Sequence, residues 1–174
     1  MGTKRVGLAR VQALIENLKR ELDLSSTTLK DAAQVRRVKE VSAATTLTNA
    51  DSGALITLSG ANYVVKLPKE PEVGCTYTFI NAVALGAGGS VNIDAKDGVH
   101  FFLGKVQDRE ADASSASHVS FNGSSHDQLK FSASAGALDS EVKCTFIDNN
   151  TWLVHDSFSF DISDITSGTA STNA

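Results

Sequence analysis

Residues 54–68 read Ala54-Leu55-Ile56-Thr57-Leu58-Ser59-Gly60-Ala61-Asn62-Tyr63-Val64-Val65-Lys66-Leu67-Pro68. Two short apolar and β-branched runs flank a Ser-Gly-Ala-Asn cluster, which is the pattern of strand, turn and strand. Pro68 and Pro71 stop the second run.

The same pattern recurs downstream. Cys75-Thr76-Tyr77-Thr78-Phe79-Ile80-Asn81 alternates, with Cys75, Tyr77 and Phe79 on one face. Gly86-Ala87-Gly88-Gly89 is a loop leading into Ser90-Val91-Asn92-Ile93. Asp97-Gly98 is a short hairpin signal ahead of Val99-His100-Phe101-Phe102-Leu103. Residues 111–117 are small and polar and predict an exposed loop. Residues 118–121 and 129–134 predict further strands, and 142–147 with 152–154 predict a hairpin around Asp148-Asn149-Asn150. Strands at roughly 8–12-residue spacing predict an antiparallel β-sandwich or barrel, jelly-roll-like in character. No helical pattern alternates with them, which argues against a parallel α/β fold.

Working outward, the ends differ from this body. Residues 1–41 carry nine Lys or Arg and five Asp or Glu, an excess of +4 in a chain of net charge −4, so the remainder is −8. Only two of the 13 glycines precede residue 42. The division predicted is a helical arm over 1–41, a β-sandwich domain over 42–160 and a flexible Ser/Thr-rich tail over 161–174. Before the tail, Phe158 and Phe160 alternate with Ser157, Ser159 and Asp161. A basic arm on an acidic body suits docking on an acidic partner surface.

Within the arm, Leu8, Val11, Ile15, Leu18 and Leu22 recur at spacings of 3, 4, 3 and 4, the seam of an N-terminal amphipathic α-helix. A helix of that length is marginal alone in water, so its seam predicts self-association, docking on another protein or packing on the chain's own β domain. Residues 29–41, with Leu29, Ala32, Ala33, Val35 and Val38 as apolar positions, predict a second short helix.

The search for chemistry excludes more than it finds. His100, His118, His126 and His155 form no H-E-x-x-H pattern and no helical pair, so no metal site is signalled. His126-Asp127 and His155-Asp156 are adjacent pairs, and neighbours in a strand point to opposite faces, which predicts no mutual contact. There is no nucleophile elbow and no phosphate loop. No catalytic residue and no cofactor is expected. Cys75 and Cys144 are expected to be buried free thiols. The acidic balance argues against general nucleic-acid binding. No apolar run approaches the length of a membrane span. The start lacks the apolar stretch of a secretory signal, which predicts synthesis in the cytosol.

The opening Lys4-Arg5-Val6-Gly7-Leu8-Ala9-Arg10, with Ala13-Leu14-Ile15-Glu16-Asn17-Leu18-Lys19-Arg20-Glu21-Leu22, resembles the start of structural proteins from marine tailed bacteriophages, cyanophage-type ones especially. Thr46-Leu47-Thr48-Asn49-Ala50-Asp51-Ser52-Gly53, with Val65-Lys66-Leu67-Pro68 and Gly74-Cys75-Thr76-Tyr77-Thr78-Phe79, is similar to a β module of phage head and fibre proteins. The first match is the more specific, and nothing beyond residue 81 contributes. The resemblance implies a virion component on the capsid surface, made in the host cytoplasm. It points to a capsid decoration (cement) protein or a head fibre, often a homotrimer, with the major capsid protein as partner. On that basis Leu8, Val11, Ile15, Leu18 and Leu22 are the expected assembly residues. Lys4, Arg5, Arg10, Lys19 and Arg20 are expected to meet acidic capsid surface. The long N-terminal helix departs from small cement proteins, whose arms are extended, and leaves a fibre or adhesin role open. In that role the loops at 111–117 and 122–127 would recognise host-surface glycan.

Overall fold

The computed structural model describes residues 7, 10–13, 27–30, 33–95, 99–108, 118–132, 138–148, 150–159 and 165–168. The chain is mainly β. A hairpin of β1 (Thr27–Lys30) and β2 (Ala33–Arg36) comes first. It is followed by β3 (Val38–Val41), β4 (Thr45–Thr46), a 3-10 turn at Asn49–Asp51, β5 (Leu55–Leu58), β6 (Tyr63–Lys66), β7 (Thr76–Asn81) and β8 (Ser90–Asp94). Then come β9 (Phe101–Asp108), β10 (His118–Asn122), β11 (Gln128–Ser132), β12 (Glu141–Phe146), β13 (Thr151–Ser159) and β14 (Ile165–Gly168). One sheet has the order β10-β9-β13-β12-β7-β5-β3 and the other β14-β11-β8-β6-β4.

The sheets are mixed, which corrects the purely antiparallel expectation. β3, β5 and β7 run parallel, as do β4, β6 and β8, and β13 is parallel to β9. The cause is the path of the chain. From β3 onward almost every connection crosses to the other sheet, so a strand meets its neighbour only after a full circuit and arrives in the same direction. Only β9–β10 and β12–β13 stay in one sheet, and both are antiparallel. Two consecutive strands in one sheet are what a tight hairpin requires.

A second short helix does not form over residues 29–41. The described residues there are β1, β2 and β3, and β3 joins the seven-stranded sheet beside β5. Val41 has a place in the core, and pairing with β5 outweighs the helical spacing of the apolar positions. Residues 165–168 of the predicted flexible tail are likewise a strand, β14, paired antiparallel with β11. The Asp97-Gly98 signal and the loop at 111–117 lie outside the described residues.

One core draws on both sheets. Ile56, Leu58, Tyr77, Phe79, Phe102 and Trp152 enter it from the larger sheet, and Val65, Val91, Ile93, Leu129 and Phe131 from the smaller. Trp152 is fully buried, its ring 5.1 Å from Phe146 and 5.7 Å from Tyr77. Cys75 and Cys144 are free and buried. Gly104 of β9 has φ +130, and a Cβ there would strike the Val154 backbone. Only glycine lets β13 approach β9 this closely. Among the described residues no helix is long and apolar enough to cross a membrane.

Candidate functional site

The arm residues come first. Residues 10–13 are helical, with the Arg10 N–H donating to the Gly7 carbonyl at 2.8 Å, and Arg10 and Val11 are both exposed. Leu8, Ile15, Leu18 and Leu22 of the seam, and the cations Lys4, Arg5, Lys19 and Arg20, lie outside the described residues. Part of the arm's positive excess is engaged within the fold. Arg37 and Lys39 close on Asp51 at 3.1 and 2.9 Å. Arg36 donates to the Gly53 carbonyl and to the Thr78 hydroxyl. Burial alone would raise the Asp51 carboxyl. The bonds from Lys39 and from the Thr48 N–H and hydroxyl outweigh it and hold the group below the usual carboxylate range.

Beside this cluster a 430 Å³ concavity is lined by Asn49, Ala50, Ser52, Glu72, Val73, Gly74 and Cys75. Its Asn49 side chain is already committed. Asn49 donates to the Glu70 carbonyl and accepts from the Glu72 N–H and the Cys75 thiol. That hollow is a pinned loop.

A second concavity, of 400 Å³, has a different origin, in β13. Measured against β12, the register passes from Lys143↔His155 to Glu141↔Phe158; measured against β9, from Val154↔Gly104 to Phe158↔Gln107. Both neighbours agree that β13 holds one extra residue between His155 and Phe158, a β-bulge. Asp156 sits in it with φ +48, a left-handed conformation uncommon for a residue with a side chain.

The bulge reverses the phase of the strand. Before it, Trp152 and Val154 face the core; after it, Ser157 (6% exposed) and Ser159 (0%) do. Phe158 is turned to the outer side and is only partly buried. The inward serines are satisfied in place. The Ser157 hydroxyl accepts the Lys143 N–H at 2.8 Å and donates to the His155 carbonyl at 2.8 Å, standing in for the interrupted ladder. Ser159 pairs with the Ser140 hydroxyl at 3.2 Å.

The bulge also brings His155 and Asp156 together, contrary to the expectation for strand neighbours. His155 Nδ1 lies 3.1 Å from Asp156 Oδ2, because the left-handed residue swings its side chain back beside the one before it. On the other side, His155 Nε2 is 2.8 Å from the Thr145 hydroxyl, which is 2.8 Å from the Thr76 hydroxyl. A carboxylate only accepts, so Nδ1 carries the proton. With a neutral ring the Thr145 hydroxyl then donates to Nε2. With a protonated ring the row reverses, and Thr145 donates to Thr76, which donates to the Gly74 carbonyl. The His155 contact, with Lys143 3.6 Å away, holds the Asp156 carboxyl below its ordinary value.

A hydroxyl, an imidazole and a carboxylate in a row is the order found in nucleophilic hydrolases. Here the concavity opens elsewhere. Its lining is Lys105, Gln107, Glu141, Asp156, Ser157 and Phe158, and Thr145 is not part of it. Thr145 stands mid-strand with β7 and β13 paired on either side, so the backbone around it is engaged in the two ladders. The row therefore positions Asp156 at the rim of the hollow. Sequence reasoning missed this site. Its signal was an Asp beside a His within a strand pattern, followed by Ser-Phe-Ser.

Of the loop at 122–127, the Asn122 side chain caps its own turn by accepting from the Ser124 and Ser125 N–H groups, and the Asn122 N–H donates to His126 Nδ1. Among the described residues no group of three His, Cys, Asp or Glu side chains could hold a metal ion. No family model matches this chain, and no curated protein matches it in sequence.

Proposed function

We propose that this chain is a non-enzymatic virion structural protein of a tailed phage, acting as a symmetric homotrimer that decorates the outer capsid surface by docking on the major capsid protein. In this reading the two sheets form a β-sandwich, jelly-roll-like in outline, and the N-terminal amphipathic helix assembles the copies through Leu8, Val11, Ile15, Leu18 and Leu22. Lys4, Arg5, Arg10, Lys19 and Arg20 meet acidic capsid surface.

One observation carries the assembly part of the reading. The first circuit of the chain leaves β3 and β4 as edge strands of their sheets, without an outer neighbour among the described residues, and Val38 on β3 is 59% exposed. Proteins cover or blunt such edges, and assembly is one way of covering them. The arm leads directly into that end of the body. Light scattering on the full chain and on a chain starting at Thr27 tests the reading. A trimer that becomes a monomer without the arm is expected, and so is loss of assembly in Ile15→Asp with Leu18→Asp. A full chain that stays monomeric overturns it.

The second reading is a short fibre or adhesin recognising host-surface glycan, and the hollow beside the β13 bulge is the observation that favours it. A glycan array separates the two readings, since a pure cement protein gives no specific signal.

A further inference from the structure

We infer that the open edge of β3 is completed by β1 of a second copy, each copy lending its β1–β2 ribbon to the seven-stranded sheet of a neighbour. This rests on the assembly reading and gives it a contact besides the helix.

The receiving edge is set by the β3–β5 ladder. The Leu55 N–H donates to the Arg37 carbonyl and the Ser59 N–H to the Val41 carbonyl, both at 2.9 Å. Bonds of a parallel ladder fall on every second residue, so Arg37, Lys39 and Val41 face β5. The N–H and C=O groups of Val38 and Glu40 point the other way, where no strand among the described residues meets them. Both residues are exposed, and Glu40 enters no ion pair among the described residues.

The ribbon has the opposite need. β1 and β2 form a sheet of two strands, from Thr27↔Arg36 to Lys30↔Ala33. A lone two-stranded hairpin is marginal in water. Leu29 stands opposite Gln34 and Val35 opposite Thr28, so no rung joins two apolar residues. Apolar cross-strand pairs, a main source of sheet stability, are therefore missing. What the ribbon offers is unpaired backbone along its outer edge.

Its own chain cannot use that edge. β2 ends at Arg36 and β3 begins at Val38, and one residue is too few to reverse a strand, since the tightest common hairpins have two-residue loops. Thr27 lies opposite Arg36, so β1 extends from the root of the ribbon away from β3. Arg36 fixes that root to the body through the Gly53 carbonyl and the Thr78 hydroxyl. The ribbon thus projects past its own β3 and is free for the β3 of another copy.

Charge and length fit that occupant. Residues 1–35 carry six Lys or Arg and four Asp or Glu, an excess of +2, which leaves −6 for the rest of the chain. The arm of one copy is drawn to the body of the next, with Lys30 the charged residue of β1 and Glu40 that of the receiving edge. Both strands have four residues. Each copy gives one ribbon and receives one, a head-to-tail contact that closes as a ring, and a trimer is such a ring. So short a ladder holds only while the helix keeps the copies at high local concentration, so a chain starting at Thr27 stays monomeric.

The experiment is amide hydrogen exchange, read by NMR, on the full chain, on Ile15→Asp with Leu18→Asp, and on Leu29→Pro, with light scattering on each. The Lys39 and Val41 amides face β5 and serve as the internal standard. In the assembled full chain the Val38 and Glu40 amides are expected to exchange about tenfold or more slowly than in the monomeric double variant. Leu29→Pro places a proline in β1, leaves the ladders of the body intact and should abolish that protection. Slow exchange at both amides in the monomer would put the cover within the same chain, and unchanged protection in Leu29→Pro would put it elsewhere than β1; either result overturns the strand addition. Fast exchange at Val38 and Glu40 in an assembled full chain also overturns it and leaves the assembly reading standing. A full chain that is monomeric throughout removes both.

Discussion

β12 and β13 lie side by side in one sheet and begin in step. Val142, Cys144 and Phe146 of β12 face the core, and Glu141, Lys143 and Thr145 face outward, without interruption. β13 matches this through Val154, takes in one extra residue and continues in opposite phase. The straight strand fills the core from one face and lends Glu141, Lys143 and Thr145 to the outer side from the other. The broken one contributes to the core with its first half and builds a rimmed hollow with its second. A hydrophobic pattern gives the period of a strand, and the ladder with its neighbours decides which phase looks inward.

The comparison breaks most severely at Trp152, in the half of β13 that keeps step. Trp152→Ala removes the largest fully buried side chain and is expected to cost about 3–5 kcal/mol, read from urea unfolding. Against an ordinary total of about 5–15 kcal/mol, that loss is a large share of the stability. In the out-of-step half, Ser157→Ala leaves the Lys143 N–H and the His155 carbonyl without the hydroxyl that joins them. A loss of about 1–3 kcal/mol is expected by the same measurement. A Ser157→Ala variant as stable as the parent would mean that the bulge closes without its serine.

Asp51 serves as a reference away from both strands. Asp51→Asn keeps an acceptor for Thr48 and gives up the pairing with Arg37 and Lys39, at about 1–2 kcal/mol near pH 7. Because the folded carboxyl titrates below its ordinary value of 3.8, the stabilisation is complete above that value and fades as pH falls through the folded one. Stability curves of parent and variant should therefore converge on the acid side of 3.8. If they stay parallel down to pH 2, the ion cluster adds nothing. The smallest effect belongs to β12. Burial pushes the Cys144 thiol far above its usual value, so Ellman's reagent should modify it no faster than the chain opens. Rapid labelling of the native protein would show that the straight strand is less closed than its burial indicates.

Much of the β body was legible in the sequence. The alternations in 54–58, 63–67, 75–81 and 142–147 correspond to β5, β6, β7 and β12, because one face of each is buried and the period is carried by the residues themselves. Direction was not legible. Whether β5 meets β3 antiparallel in a hairpin or parallel after a circuit depends on which sheet the intervening strand enters, and no local residue records that. Residues 29–41 misled for a related reason, since the spacing of Leu29, Val35 and Val38 fits a helix face as well as it fits strands. The partner β5, far along the chain, decides between them. The site escaped because a bulge is an exception to the very period used to find strands. Unbroken alternation from Trp152 and Val154 puts Asp156 on the core side, and neither His155 nor Ser157 marks the exception. Only the two register shifts expose it.

The winding of the chain between two sheets also governs how the molecule is reached from an unfolded chain. Val38 pairs with Leu55, Leu55 with Thr78 and Tyr63 with Val91, so no ladder from β3 to β8 can start between adjacent strands. Each requires a loop to close before any rung is gained, and the entropy of closure is lost first. Topologies of this kind fold on the slow side of the range for their size. The β12–β13 hairpin is exempt, because its strands are close in sequence and meet antiparallel around Trp152. It is the natural place for structure to nucleate, with the parallel circuits accreting on β7 afterwards. During synthesis β7 and β8 therefore emerge with one edge still open, since their outer neighbours β12 and β11 lie later in the sequence.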